Sequence, residues 1–134
     1  MSNKLHIQMH GDHQHWLSES DFWREDTAQW RTEIEQSLRD VERLNEALRA
    51  HAAALHAHLE MICSHAQKIR AHEHALAGFE QGDGGDELIG FAKDHEKERA
   101  EQVATRQVHE RLKKFHHGLI AQLNLLIKSV SKAV

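Results

Sequence analysis

Apolar residues recur at every seventh position through the middle of the chain, and this repeat limits the fold more than any other feature. One stripe contains Val41, Leu48, Leu55, Ile62, Ile69 and Leu76. A second stripe begins three residues later and contains Leu44, His51, His58, His65, His72 and Phe79. Alternating spacings of three and four residues put both stripes on one helix face, as in a coiled-coil seam. The sequence therefore predicts long helices that pack along this seam.

Residues that interrupt helices are rare and clustered. The chain has no proline, and only seven of its 134 residues are glycine. Because proline and glycine are the strongest helix breakers, we predict one helix from about Asp12 to Glu80 and another from about Asp86 to Ser131. A hairpin loop at about 81–86 joins them. We expect residues 1–11 to be a flexible N-terminal tail and residues 12–134 to be a single helical-bundle domain.

Folding the chain at this loop aligns the seams of the two helices. Residues whose numbers add to 167 then face each other, and like meets like in almost every layer. The pairs include Leu76 with Phe91, His72 with His95, His65 with Gln102, His58 with His109, Leu55 with Leu112, and His51 with His116. The sequence therefore predicts an antiparallel hairpin in this register.

The first third of the chain needs a partner of its own. Trp16, Trp23 and Trp30 continue the seam toward the N-terminus, and three tryptophans on one stripe are too apolar to leave in water. If this segment lies antiparallel to the middle helix with residue numbers adding to 85, Trp16 is beside Ile69 and Trp23 is beside Ile62. The predicted fold is an all-α, antiparallel coiled-coil three-helix bundle.

Charged residues support this alignment. Acidic side chains at one flank of the first segment face basic side chains of the last helix: Asp12, Glu19 and Asp26 against Arg99, Arg106 and Lys113. Each such surface pair contributes little to stability, but all three agree with one register.

Two arrangements satisfy the three-helix prediction. The chain could turn near residues 40–45 and form a monomeric bundle. Alternatively, a very long first helix could pack on the hairpin of a second chain in a domain-swapped homodimer with the same layers. The stretch has no strong turn signal and the repeat runs through it without a break, which favours the dimer.

The polar layers of the seam are rich in histidine. They contain His13 with His72 and His95, Ser20 with His65 and Gln102, Thr27 with His58 and His109, and Ile34 with His51 and His116. Imidazole binds zinc, copper, nickel and iron, and three imidazoles can hold one ion with a position left for water. We therefore predict a metal-binding bundle for storage, buffering or sensing, with His13, His72 and His95 as the first candidate site.

The alternative is a non-enzymatic coiled-coil adaptor or scaffold. In that case neutral histidines bond to each other and fix the register, as buried asparagine does in coiled coils. The layers would also respond to pH, because imidazole titrates near pH 6.5. Protonation of all 14 histidines would change the net charge from −4 to +10.

Several other classes of function lack support in the sequence. A net charge of −4 gives no basic surface for nucleic acid. No segment is apolar enough for a membrane span or a signal peptide, so we expect a cytoplasmic protein. No catalytic constellation is visible beyond the three-histidine site, so we expect no enzyme activity. A homodimer is the expected assembly, and another protein is the other partner class that an adaptor would bind.

One fragment resembles a known family. His56 followed by Glu60, together with Asp12-His13, resembles elements of hemerythrin-like domains, which bind two irons in a four-helix bundle. The later histidine and aspartate elements of that family are not found in order. No residue roles are carried over from it.

Overall fold

The computed structural model describes residues 2–79 and 85–132. Helix α1 spans Ser2–Phe79 and helix α2 spans Gly85–Ser131, and the described residues contain no strand. Of the predicted loop at 81–86, residues 81–84 lie outside the described part, while residues 85 and 86 already belong to α2. Neither helix has a stretch that is both long and apolar enough to cross a membrane.

The start of α1 differs from the prediction. The helix begins at Ser2 instead of Asp12, so residues 2–11 are helical. The helix continues through Gly11, because a single glycine costs only about 1 kcal/mol within a helix. A hydrogen bond of 3.2 Å between the ring nitrogens of His6 and His10 joins consecutive turns of this first segment.

The chain divides into two compact units, residues 1–50 and residues 51–134. In the first unit the stabilising side-chain contacts run along the helix. Gln36 donates to Asp40 at 3.1 Å, and Arg39 donates to Gln36 at 2.7 Å. Such neighbours three or four residues apart support a helix that has little apolar contact of its own.

The second unit is an antiparallel hairpin in the predicted register. His51 contacts His116, His58 contacts His109 and His65 contacts Gln102, and each pair of numbers adds to 167. Half-buried residues line the predicted seam: His51, Leu55, Ile62, His72, Leu76 and Phe79 on α1, and Phe91, Glu98, Thr105, Leu112 and Leu119 on α2. The core of this unit is therefore a seam between two helices.

This seam is thinner than the predicted core. Among the described residues no hydrophobic side chain is buried, and the two buried residues are His58 and His65 at 6% and 8% exposure. On α2 the predicted inward residues His95 and His109 are exposed, whereas Glu101 and Val108 are half-buried. Two helices cover only a narrow stripe of each other, so residues at its rim face solvent unless a third element covers them.

The turn near residues 40–45 that the monomeric arrangement requires is not present, because α1 is helical throughout Ser2–Phe79. The long first helix of the second arrangement is thus found. The large apolar side chains of residues 12–34 are exposed, with Trp16, Trp23 and Trp30 at 56%, 61% and 60% of their full exposure.

Candidate metal centre

Two histidine pairs in the hairpin are closed by direct hydrogen bonds. Nε2 of His51 is 3.1 Å from Nδ1 of His116, and Nε2 of His58 is 3.1 Å from Nδ1 of His109. Both pairs are stacked, with ring centroids 5.3 Å apart. In each pair one nitrogen donates its hydrogen to the lone pair of the other. A lone pair used in this way is not free for a metal ion.

The His58 ring also has a nitrogen with no partner. Its Nδ1 is a buried side-chain atom without a hydrogen bond in the described part of the chain. Since Nε2 is bonded to His109, Nδ1 carries either an unused hydrogen or an unused lone pair. A buried polar atom of this kind lowers stability until a partner reaches it.

His65 has two polar neighbours from α2. Its Nε2 is 3.0 Å from Oε1 of Gln102, and its Nδ1 is 3.4 Å from a carboxylate oxygen of Glu101. The sequence register predicts the Gln102 contact. It does not predict Glu101, which lies one position outside the predicted seam and comes within reach because α2 presents that side to α1.

A third histidine pair is open, and a carboxylate joins it. The side chains of His72, His95 and Glu98 each offer one ligand atom, and these atoms lie within 4.8 Å of one another. Nδ1 of His72 is 3.7 Å from Oε1 of Glu98. The rings of His72 and His95 are 6.3 Å apart, which is wider than in the two closed pairs.

Both helices position these three ligands. His95 and Glu98 are three residues apart on α2 and therefore share a face, and the hairpin register brings His72 opposite them. Phe91 packs its ring edge-on against His72 at 5.6 Å and also contacts Phe79 at 5.4 Å. This aromatic contact holds the His72 ring at the end of the seam nearest the loop.

The burial of the group suits an ion that enters from solvent. The side chains of His72 and Glu98 are only 12% and 19% exposed, whereas His95 is exposed. Two ligands are thus held in a partly dry environment while the third borders water. A metal site needs such an entry path as well as the right ligands.

The donor set fits a transition-metal ion. Two imidazoles and one carboxylate are a ligand set that zinc uses in proteins, with a fourth position for water or another ligand. Zinc–nitrogen bonds of about 2.0–2.1 Å place tetrahedral ligands about 3.4 Å apart. Side-chain rotations that move the ligand atoms by about 1 Å would bring them to this spacing around an ion.

The predicted site residues fall into three groups. His51 with His116 and His58 with His109 form closed pairs, and His65 pairs with Gln102. His72 and His95 meet as predicted, and the third potential ligand that lies with them in the hairpin is Glu98. His13 is exposed and its ring lies 5.6 Å from that of Trp16, so its role as a ligand stays a prediction.

Glu98 could have been recognised from the sequence by its position three residues after His95. The fragment that resembles hemerythrin-like domains has a different role in the structure. Nε2 of His56 is 3.1 Å from a carboxylate oxygen of Glu60, both side chains are more than 70% exposed, and the contact lies away from the seam.

Comparisons with known proteins give no relative from which to infer function. No protein-family model matches the chain. Searches of curated proteins and of solved structures likewise give no significant match. Function must therefore be argued from the residues.

Proposed function

We propose that this protein binds a transition-metal ion through His72, His95 and Glu98, for storage, buffering or sensing and not for catalysis. The observation that carries the proposal is the convergence of three ligand atoms within 4.8 Å. Zinc, copper, nickel and iron all accept imidazole ligands, and the mixed imidazole–carboxylate set suits zinc well.

The open pair is a better site than the closed ones. A metal ion at His51–His116 or His58–His109 would have to displace a hydrogen bond of 3.1 Å. At His72–His95 the rings are 1.0 Å farther apart than in either closed pair, and no such bond has to be broken there.

Metal titration of the untagged chain tests the proposal. We expect wild type to take up one zinc ion per chain, and His72→Ala, His95→Ala and Glu98→Gln each to weaken binding by at least about tenfold, since the loss of even an outer ligand partner costs about 10–100-fold. His56→Ala is the control, because it removes an exposed imidazole that lies away from the seam. No uptake by wild type, or equal loss in the control, would contradict the proposal.

A second candidate is a helical scaffold that self-associates. It is favoured by the exposed tryptophans of residues 12–34 and by the closed histidine pairs, which could fix register as polar core layers do. For the assembly of the helices we propose a three-helix bundle. It forms in a domain-swapped homodimer, because α1 has no turn at residues 40–45. We retain the cytoplasm as the proposed location.

The two candidates predict different results for one variant, read in the absence and in the presence of zinc. If the His72 layer only sets register, the double variant His72→Leu, His95→Leu should be more stable than wild type, because apolar pairs replace imperfectly bonded polar groups. If the layer holds metal, the variant loses zinc uptake and all zinc-dependent gain in melting temperature. Thermal unfolding with and without zinc separates these outcomes.

A further inference from the structure

A groove runs along one side of the hairpin, and two adjoining cavities lie in it. The first has a volume of about 440 Å³ and is lined by Ile62, Ile69 and Thr105 among others. The second has a volume of about 470 Å³ and is bordered by Ile69, Glu98 and Arg106. Ile69 and Arg106 line both, so the cavities form one continuous, largely apolar surface.

The chain also exposes an unusually large area. Its accessible surface is 11836 Å², whereas a compact folded chain of 15.4 kDa exposes about 7,200 Å². The difference exceeds the roughly 1,200–2,000 Å² that a standard protein interface buries. The exposed Trp16, Trp23 and Trp30 are part of it.

We infer that residues 12–34 of a second copy of this chain occupy this groove. The two α1 helices are antiparallel, in the register where the numbers of facing residues add to 85. His13 of the second copy then completes the His72–His95–Glu98 site. This pairing rule is symmetric between the two copies, so each copy contributes one segment to its partner's groove and binds its partner's segment in its own groove. The assembly is a closed two-fold dimer with two equivalent interfaces.

The cavities lie where this register needs them. It places Trp16 of the second copy in the layer of Ile69 and Glu98, which border the second cavity. It places Trp23 in the layer of Ile62 and Thr105, which line the first. In these two layers α2 contributes Glu98 and Thr105, which add little apolar volume. A large indole side chain would fill the space that they leave.

Charges along the groove are complementary to the segment. Arg99 and Arg106 border the second cavity. In the proposed register Asp12 of the second copy faces Arg99 and Glu19 faces Arg106. An acidic helix edge on a basic rim favours this orientation, because opposite charges attract across the interface.

The same register adds a ligand to the metal centre. His13 of the second copy lies in the layer of His72 and His95, and the exposed side of His95 is toward the groove. This step rests on the proposed function. With His13 the donor set becomes three imidazoles and one carboxylate, which closes a tetrahedral zinc shell.

Sedimentation equilibrium of the full chain without metal tests the dimer. We expect twice the chain mass of 15.4 kDa, and Trp23→Ala should weaken dimerisation by at least about a hundredfold, as expected for a buried aromatic anchor present twice. A monomer at all concentrations would overturn the inference, whatever else binds in the groove.

Charge exchange tests the register. Glu19→Arg and Arg106→Glu alone should each weaken the dimer by about tenfold or more, since each creates two repulsive pairs. The double variant should recover most of the wild-type affinity, because it restores both pairs in reverse. Lys114→Glu, on the exposed side of α2, is the matched control. A dimer without this recovery would overturn the register.

Zinc titration separates the two proposals. In the dimer, His13→Ala should lower zinc affinity by about tenfold or more and leave the metal-free dimer unchanged, whereas His72→Ala lowers zinc affinity in any assembly state. Unchanged zinc affinity of a dimeric His13→Ala would overturn the trans ligand. If wild type takes up no zinc, the proposed function fails and the trans ligand with it, while charge exchange still decides the dimer.

Discussion

Each inward histidine of the hairpin differs from the next in what its two ring nitrogens contact. His58 has one nitrogen bonded to His109 and one without a partner, whereas both nitrogens of His65 have neighbours. His72 contacts a carboxylate and faces an open imidazole. One repeated residue type therefore gives three chemical environments, and the last of them brings three ligand atoms within 4.8 Å of one another.

The His58–His109 pair should show an asymmetric response to mutation. His109→Ala leaves His58, which is 6% exposed, without its hydrogen bond, and should cost about 1–3 kcal/mol of unfolding free energy. Adding His58→Leu should recover most of this loss, because the buried polar ring is then gone. Urea unfolding of both variants measures the effect.

The control for this pair is His56→Ala, which removes an exposed imidazole and should change stability by less than about 0.5 kcal/mol. If the double variant is less stable than His109→Ala alone, the buried ring of His58 is stabilising by itself and the argument from its hydrogen bonds is wrong.

The histidine pairs could be predicted from the sequence because a seven-residue repeat and one loop determine the register. The Glu101 contact could not. Glu101 lies one position outside the predicted seam, yet its carboxylate is 3.4 Å from His65. Residue spacing does not determine how α2 is rotated about its axis, because that rotation depends on how side chains of unequal size fill the seam.

At the scale of the helices, the prediction was most accurate where apolar periodicity was strong. The end of α1 at Phe79 and the end of α2 at Ser131 lie within one residue of expectation. The start at Ser2 was missed because residues 2–11 lack apolar periodicity, and their helix is held by backbone bonds and local contacts such as His6–His10.

Glycines inside the helices provide a test at this scale. A Cβ added at Gly118 would meet nothing within 4 Å, and the residue is in the interior of α2. Gly118→Ala should therefore raise the unfolding free energy by about 0.5–1 kcal/mol, since alanine loses less backbone entropy in a helix. Thermal unfolding followed by circular dichroism measures it.

The matched reverse change is Ala121→Gly, three residues along the same helix and also exposed. It should lower stability by a similar amount. A destabilising Gly118→Ala would show instead that a neighbouring chain approaches α2 closely at this position.

At the scale of the whole molecule, the sequence predicts more burial than one chain provides. The core seam of the hairpin holds half-buried residues, and the described part of the chain has no buried hydrophobic side chain. The three-helix prediction came from the same imbalance, since Trp16, Trp23 and Trp30 continue the seam and need a partner. The presence of a third helix could be inferred from the sequence. Whether that helix comes from the same chain or from a second copy could not, because both arrangements give identical layers.

Concentration dependence distinguishes these sources without any mutation. In the proposed dimer, folding is coupled to association, so the melting temperature should rise with chain concentration. For 134 residues per chain, each tenfold rise in chain concentration should raise the melting temperature by about 3 °C, given an unfolding entropy of about 2.1 cal/mol/K per residue.

All three tryptophans lie in residues 12–34 and are more than half exposed in the single chain. Their emission should therefore shift to the blue over the same concentration range. A melting temperature and an emission maximum that stay constant over a hundredfold range would instead require a monomer.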